Sequence, residues 1–187
     1  MKVILKNVRL SFPSIWNHSE YAGESSGKYE ATFLIPEDSP QIAELKKAIK
    51  AVGEEKLGDG WNKAKICLKN GDEKTYSGYS GHKFIKASNK NRFDIVDRDL
   101  HPITESDNLI KAGDYVNASI TIWAISGKWG KFIQAQLNSM QYVKEGESFG
   151  AATPRASDDF SALGDDAGMT SKETPDLGSD DDIDFLD

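Results

Sequence analysis

The chain has 187 residues, with 23 Lys or Arg against 30 Asp or Glu and a formal net charge of −7, and its aromatics comprise 4 Trp, 6 Tyr and 8 Phe. One cysteine and three histidines exclude a disulfide framework and leave little for a zinc site. The opening residues lack an apolar core of signal-peptide length and no run approaches a membrane span, so a cytoplasmic protein without cofactors is expected.

The charge is segregated. Eleven acidic residues but only Arg155 and Lys172 fall in 151–187, which leaves 21 basic and 19 acidic residues in 1–150. A mildly basic body is thus tethered to an acidic arm. The arm has too little apolar surface to offset its ordering entropy, so 151–187 is expected to be a disordered interaction tail behind one folded domain, 1–150. All but Phe160 and Phe185 of the aromatics lie in that domain, and some of them are expected to work on its surface.

Val3 to Phe12 reads as a first strand with Ile4, Val8, Leu10 and Phe12 on one alternating face, ended by Pro13. The stretch Ser14 to Lys28 is polar yet carries Trp16, His18 and Tyr21, which marks a candidate binding loop. Tyr29 to Ile35 is a second strand closed by Pro36. Ser39 and Pro40 then supply a cap and a first helical residue, and Ile42, Leu45, Ile49 and Val52 line one helical face. Gly58 to Gly60 breaks the chain, and the polar stretch to Ser80, with an apolar piece at Ile66 to Leu68, reads as an insertion or a distorted hairpin.

His82 to Ser88 and Arg92 to Val96 read as two short strands joined by the turn-prone Asn89, Lys90 and Asn91. From Tyr115 to Ile125 the residues Val116, Ala118, Ile120, Ile122 and Ala124 form an apolar face. From Lys131 to Tyr142, Ile133, Ala135 and Leu137 point inward while Phe132, Gln134, Gln136 and Asn138 point out. Gly127 to Gly130 joins these last two as a hairpin. Several strands with one helix imply a mainly β fold, a small antiparallel barrel or sandwich.

Trp123 and Phe132 lie on the nominally polar faces of neighbouring strands, with Lys128, Trp129 and Lys131 at the hairpin tip. Phe84 and Lys86 face out of an earlier strand, near Lys83, Lys90 and Arg92. Interleaved rings and basic groups are what an unpaired strand requires, because flat rings stack on bases while cations follow phosphates. Two other readings stand beside this one. The same rings would serve a protein-assembly adaptor as an interface, and Asp94, Asp97 and Asp99 with His101 offer the carboxylates of a metal-dependent nuclease, although alternation separates Asp94 from Asp97. Walker, dinucleotide and nucleophile-elbow motifs do not occur.

The segments Asn7 to Pro13 (NVRLSFP), Tyr29 to Pro36 (YEATFLIP), Gly78 to Ser88 (GYSGHKFIKAS), Val96 to Asp99 (VDRD) and Gly113 to Ala118 (GDYVNA) resemble, in that order, a family of phage-encoded single-stranded-DNA-binding proteins. The likeness spans about 1–150. It implies a non-enzymatic OB-fold that protects single-stranded DNA in phage DNA replication or recombination, as a homodimer. On this reading stacking falls to Trp123, Phe132, Trp129 and Phe84, with Tyr79, Trp16 and Tyr21, and phosphate contact to Lys83, Lys86, Lys90, Arg92, Lys128 and Lys131. The final residues Asp180, Asp181, Asp182, Ile183, Asp184, Phe185, Leu186 and Asp187 are similar to the acidic tip of bacterial single-stranded-DNA-binding proteins. Here Phe185 is followed by Leu186 and Asp187, so a phage replication protein is a better expected partner than host pockets that read a terminal phenylalanine. As a tethered polyanion the tail is also expected to compete with DNA, at an effective concentration on the order of millimolar.

Overall fold

The computed structural model describes residues 1–149, so what is expected of 151–187, including Asp180 to Asp187, lies outside the described residues. Ten strands and one α-helix follow in the order β1 (Lys2–Ser14), β2 (Glu20–Tyr21), β3 (Glu24–Ser25), β4 (Tyr29–Pro36), α1 (Pro40–Leu57), β5 (Lys65–Ile66), β6 (Leu68–Asn70), β7 (His82–Asn89), β8 (Asp94–Val96), β9 (Tyr115–Gly127) and β10 (Gly130–Lys144).

Five of these strands close on themselves. β1 pairs with β4 and β9, β4 with β7, and β9 with β10, all antiparallel, and a parallel β7–β10 seam at Ala87↔Ala135 and Ser88↔Gln136 completes the ring. Counting only barrel strands, the order is first, second, third, fifth, fourth, which is the five-stranded Greek-key barrel of the OB-fold. Closure removes the unpaired edges that would otherwise template aggregation. Inward residues from every barrel strand, among them Leu5, Leu10, Phe33, Ile85, Ile120 and Leu137, form one core.

The first strand departs from simple alternation. Leu5 pairs with Ala118 and Val8 with Val116, so Lys6 and Asn7 oppose the single residue Asn117, and Asn7 takes φ +50°. This bulge slips the pattern by one residue. Val3 and Leu5 therefore join Val8 and Leu10 in the core, while Ile4 is exposed. A second register shift lies between Ser11 and Ser14, and there Phe12, with φ +45°, turns out of the barrel. The expected inward face of Ile4, Val8, Leu10 and Phe12 is thus half corrected.

Ser39 caps α1, its Oγ accepting from Gln41 N at 3.4 Å, with Pro40 in the first turn. The helix packs mainly on β9 and also on β1 and β10, and buries Ile42, Leu45, Ala48, Ile49 and Val52 in the barrel's core. Gly53 is a glycine for space, since a Cβ there would stand 2.8 Å from the Trp61 ring and 3.1 Å from Ile133. The insertion that follows is a wedge. β5 pairs in parallel with β10 at Phe132 and Ile133, then β6 pairs with β7 at Leu68↔Ile85, filling the gap where β7 and β10 diverge. The expected hairpin of Arg92 to Val96 with the preceding strand does not form, because β8 runs on to pair with β10 in parallel at 139–141. None of the described helices is long and apolar enough to cross a membrane.

Candidate nucleic-acid interface

The outward rows of β1, β4, β7, β10 and β9 carry most of the candidate residues, in three groups. The first is on β1 and the loop before β7. Phe12 is 57% exposed and meets Tyr76, 52% exposed, edge-on at 5.2 Å between ring centroids. Tyr79 lies beneath, 5.3 Å from both Tyr76 and Phe84, and its hydroxyl donates to Ser11 Oγ at 3.1 Å. Burial pushes the Tyr79 phenol above its ordinary pKa, so it stays a neutral donor. Two open rings therefore stand on a rigid aromatic floor. In the same row Lys86, opposite Thr32, pairs with Glu30 at 2.6 Å, and Ser19 Oγ also donates to Glu30.

The second group is at the loop between the first two barrel strands. His18 packs on Tyr29 at 4.6 Å, Tyr29 is edge-on to Phe93 at 6.4 Å, and the Arg92 guanidinium lies 5.8 Å over the Tyr29 ring. Arg92 also donates to the Trp16 carbonyl at 2.8 Å, while the Trp16 ring is half-buried against the core. Tyr21 is exposed beside the Ala22–Gly23 turn that joins β2 to β3, both turn residues having positive φ. Lys90 is exposed in the turn after β7.

The third group is the β9–β10 hairpin. Trp123 pairs with Gln134 and Ile125 with Phe132, which puts Trp123, Ile125 and Phe132 on one outward face. Lys65 of β5 lies 5.6 Å over the Phe132 ring, and Trp129 at the tip is 78% exposed with Lys128 5.1 Å from it. An OB-fold binds oligonucleotides across its second and third strands and with the loops joining the first to the second and the fourth to the fifth. Those elements are β4, β7 and the loops that bear Tyr21 and Trp129. The parallel seam brings Ser88 beside Gln136, so the Lys86 row is continuous with the hairpin face.

Four expected contacts are engaged within the protein. Phe84 faces out of the barrel as expected, but Tyr79 covers it, and the two are 8% and 2% exposed. They are a floor for other rings, with no open face of their own. Lys83 is paired with Glu37 and donates to Asn70 Oδ1 at 3.1 Å. Lys131 reaches the end of α1, donating to Leu57 O at 3.0 Å, where a cation complements the helix dipole. Sequence reasoning missed Phe12, Tyr76 and Lys65, because bulges and nonlocal pairing decide where they point. The positive φ of Phe12 left no sign in the sequence, whereas Asn7 is of a type that tolerates it.

Asp97, Asp99 and His101 do come together, their ligand atoms lying within 4.8 Å of one another. Asp97 Oδ1 accepts from the backbone N–H of His101 and of Asp99, at 2.9 and 2.8 Å, and Oδ2 lies 3.2 Å from His101 Nδ1. These bonds, that of the His101 N–H foremost, hold its pKa below the usual carboxylate value. The carboxylate organises its own turn. Asp94 is apart from the group, on β8. Cys67 is half-buried, and desolvation raises its thiol to about 11, far from a reactive thiolate.

Comparison with known proteins gives the family and agrees with the barrel fold. A family model described as Enterobacter phage Enc34, ssDNA-binding protein, matches residues 1–170. Protein p50 of Acyrthosiphon pisum secondary endosymbiont phage 1 is 36% identical over 175 residues, covering 86% of this chain and 95% of that protein. The single-stranded DNA-binding protein from bacteriophage Enc34, solved in complex with ssDNA, is similar with a TM-score of 0.67 at 25% identity over 80% of this chain and 89% of its own. The fold alone is shared with gp2.5, a single-stranded DNA binding protein encoded by bacteriophage T7, at TM-score 0.56 and 13% identity over 91% and 100%. The match is to DNA-binding proteins rather than enzymes, and this chain belongs to the family of the Enterobacter phage Enc34 ssDNA-binding protein.

Proposed function

We propose that the chain binds single-stranded DNA with little sequence preference, along the outer rows of β1, β4 and β7 and onto the β9–β10 hairpin. The observation that carries this reading is the pair of open rings, Phe12 and Tyr76, fixed on a buried aromatic floor in the same row as Lys86. Held rings stack on any base, which gives affinity without sequence readout. Trp123, Phe132 and Trp129 extend the stacking surface, Trp16 and Tyr21 border it, and Lys65, Lys86, Lys90, Arg92 and Lys128 supply the phosphate contacts. The role is protection of single strands during phage DNA replication or recombination, with the acidic tail competing for the same face and recruiting partner proteins once released.

Fluorescence anisotropy with labelled single- and double-stranded oligonucleotides at two salt concentrations tests the reading. Single-strand preference with steep loss of affinity in salt is expected; equal or absent binding of both would sink it. The exposed aliphatic Ile125 favours a second use of the hairpin, since it cannot stack on a base. It suits burial against a second copy of the chain, and light scattering of an Ile125→Asp variant should then report a monomer where the parent protein is a dimer.

A further inference from the structure

After β10 the chain turns back across β1. Gly146 N donates to the buried Asp114 Oδ1 at 3.0 Å, and Arg9 holds the segment by donating from Nη2 to Glu147 O at 2.5 Å. Phe149 is thereby laid on the outer face of β4 and β7, against Leu34, Tyr79 and Phe84. The Arg9 guanidinium covers the ring, 4.2 Å from its centroid. Gly78, at φ +78°, leaves the remaining wall open, since a Cβ there would be 2.6 Å from the ring. Phe149 therefore fills a flat slot with a guanidinium on one side and apolar rings beneath. The slot adjoins Tyr76, which is 5.3 Å from Tyr79.

We propose that this slot is a site for one unpaired nucleobase, and that Phe149 is its resident substitute, displaced when single-stranded DNA binds; the proposal rests on the single-strand reading above. A guanidinium over an aromatic floor suits a nucleobase as well as a phenyl ring, because both present a π-face to the cation and to the rings. Exchange of one ring for the other keeps the floor covered. Phe149 is only half-buried and belongs to no strand, so its release breaks no ladder. Among the described residues Arg9 has no carboxylate partner, and its bond to Glu147 goes with the segment, which leaves its charge for the phosphate of the incoming nucleotide.

The test uses the full chain with a fluorophenylalanine at position 149, titrated with an oligothymidylate while anisotropy reports binding. The fluorine resonance is expected to move from a packed to a solvent-exposed position in step with the binding curve. A resonance that stays put at saturation overturns the proposal and leaves the single-strand reading standing, whereas no binding in anisotropy overturns both. Phe149→Ala in the full chain should tighten binding by about threefold to tenfold at low and high salt alike, because the uncharged occupant no longer restricts the competent fraction. Weaker binding, or a gain that vanishes in salt, would place the effect elsewhere and overturn the assignment.

Discussion

Phe12 holds a large ring at φ +45°, where a non-glycine residue costs about 1–2 kcal/mol. The ring is largely exposed, so packing does not repay that strain, and contact with a ligand is the simplest reason for keeping it. The claim separates two substitutions. Phe12→Ala removes the ring and keeps the strain, whereas Phe12→Gly removes both, so the glycine variant should be the more stable by about 1 kcal/mol in chemical denaturation. Each should weaken single-strand binding by about tenfold, as one lost stacking ring implies, and so should Tyr76→Ala. A Phe12 variant that loses stability in proportion to affinity would make the ring part of the fold instead. None of this was legible in the sequence, where Phe12 closes an alternating face that only Lys6 interrupts. By contrast Trp123 and Phe132 could be read correctly as outward, because β9 and β10 keep strict alternation from the tip as far as Ile120 and Leu137.

At the scale of elements, the devices that aim these side chains are bulges stitched by polar groups. The Lys6 bulge lacks its ladder partners, and Gln41 on α1 supplies both, its Oε1 accepting from Lys6 N at 2.7 Å and its Nε2 donating to Lys6 O at 3.1 Å. Asn117 Oδ1 accepts from Asn7 N at 2.9 Å. Gln41→Ala should therefore cost about 0.5–1.5 kcal/mol of stability with single-strand affinity unchanged, since neither Gln41 nor Lys6 is among the rings and cations assigned to the DNA. A loss of affinity at full stability would mean that the bulge communicates with the binding rows. The helix itself was readable from Ser39, Pro40 and the spacing of its apolar residues, all of them local signals. The strand β8 was readable but its partner was not, and neither was the β5–β6 wedge, because these short strands pair with β10 and β7 far along the chain and carry no mark of which edge they will join.

For the whole molecule the governing fact is charge placement, net +2 over 1–150 against −9 over 151–187. A body so weakly basic cannot rely on net attraction to hold a polyanion, so the proposed binding falls to the local arrangement of Lys65, Lys86, Lys90, Arg92 and Lys128, within a Debye length of about 10 Å at moderate salt. On the competition proposed above, a tethered tail of the same sign as DNA would meet those cations at an effective concentration on the order of millimolar. On the proposed competition, binding of DNA to the full chain would be an exchange of one polyanion for another, which releases fewer counterions than binding to a bare face. Two consequences distinguish competition from mere solubilisation. A chain ending at Gly150 should bind single strands more tightly than the full chain at low salt, and its affinity should fall more steeply as salt rises, so that the two curves converge. Anisotropy titrations across a salt series measure both slopes. Parallel curves with a constant offset would mean that 151–187 acts through something other than its charge, and coincident curves would leave the tail only its role toward partner proteins.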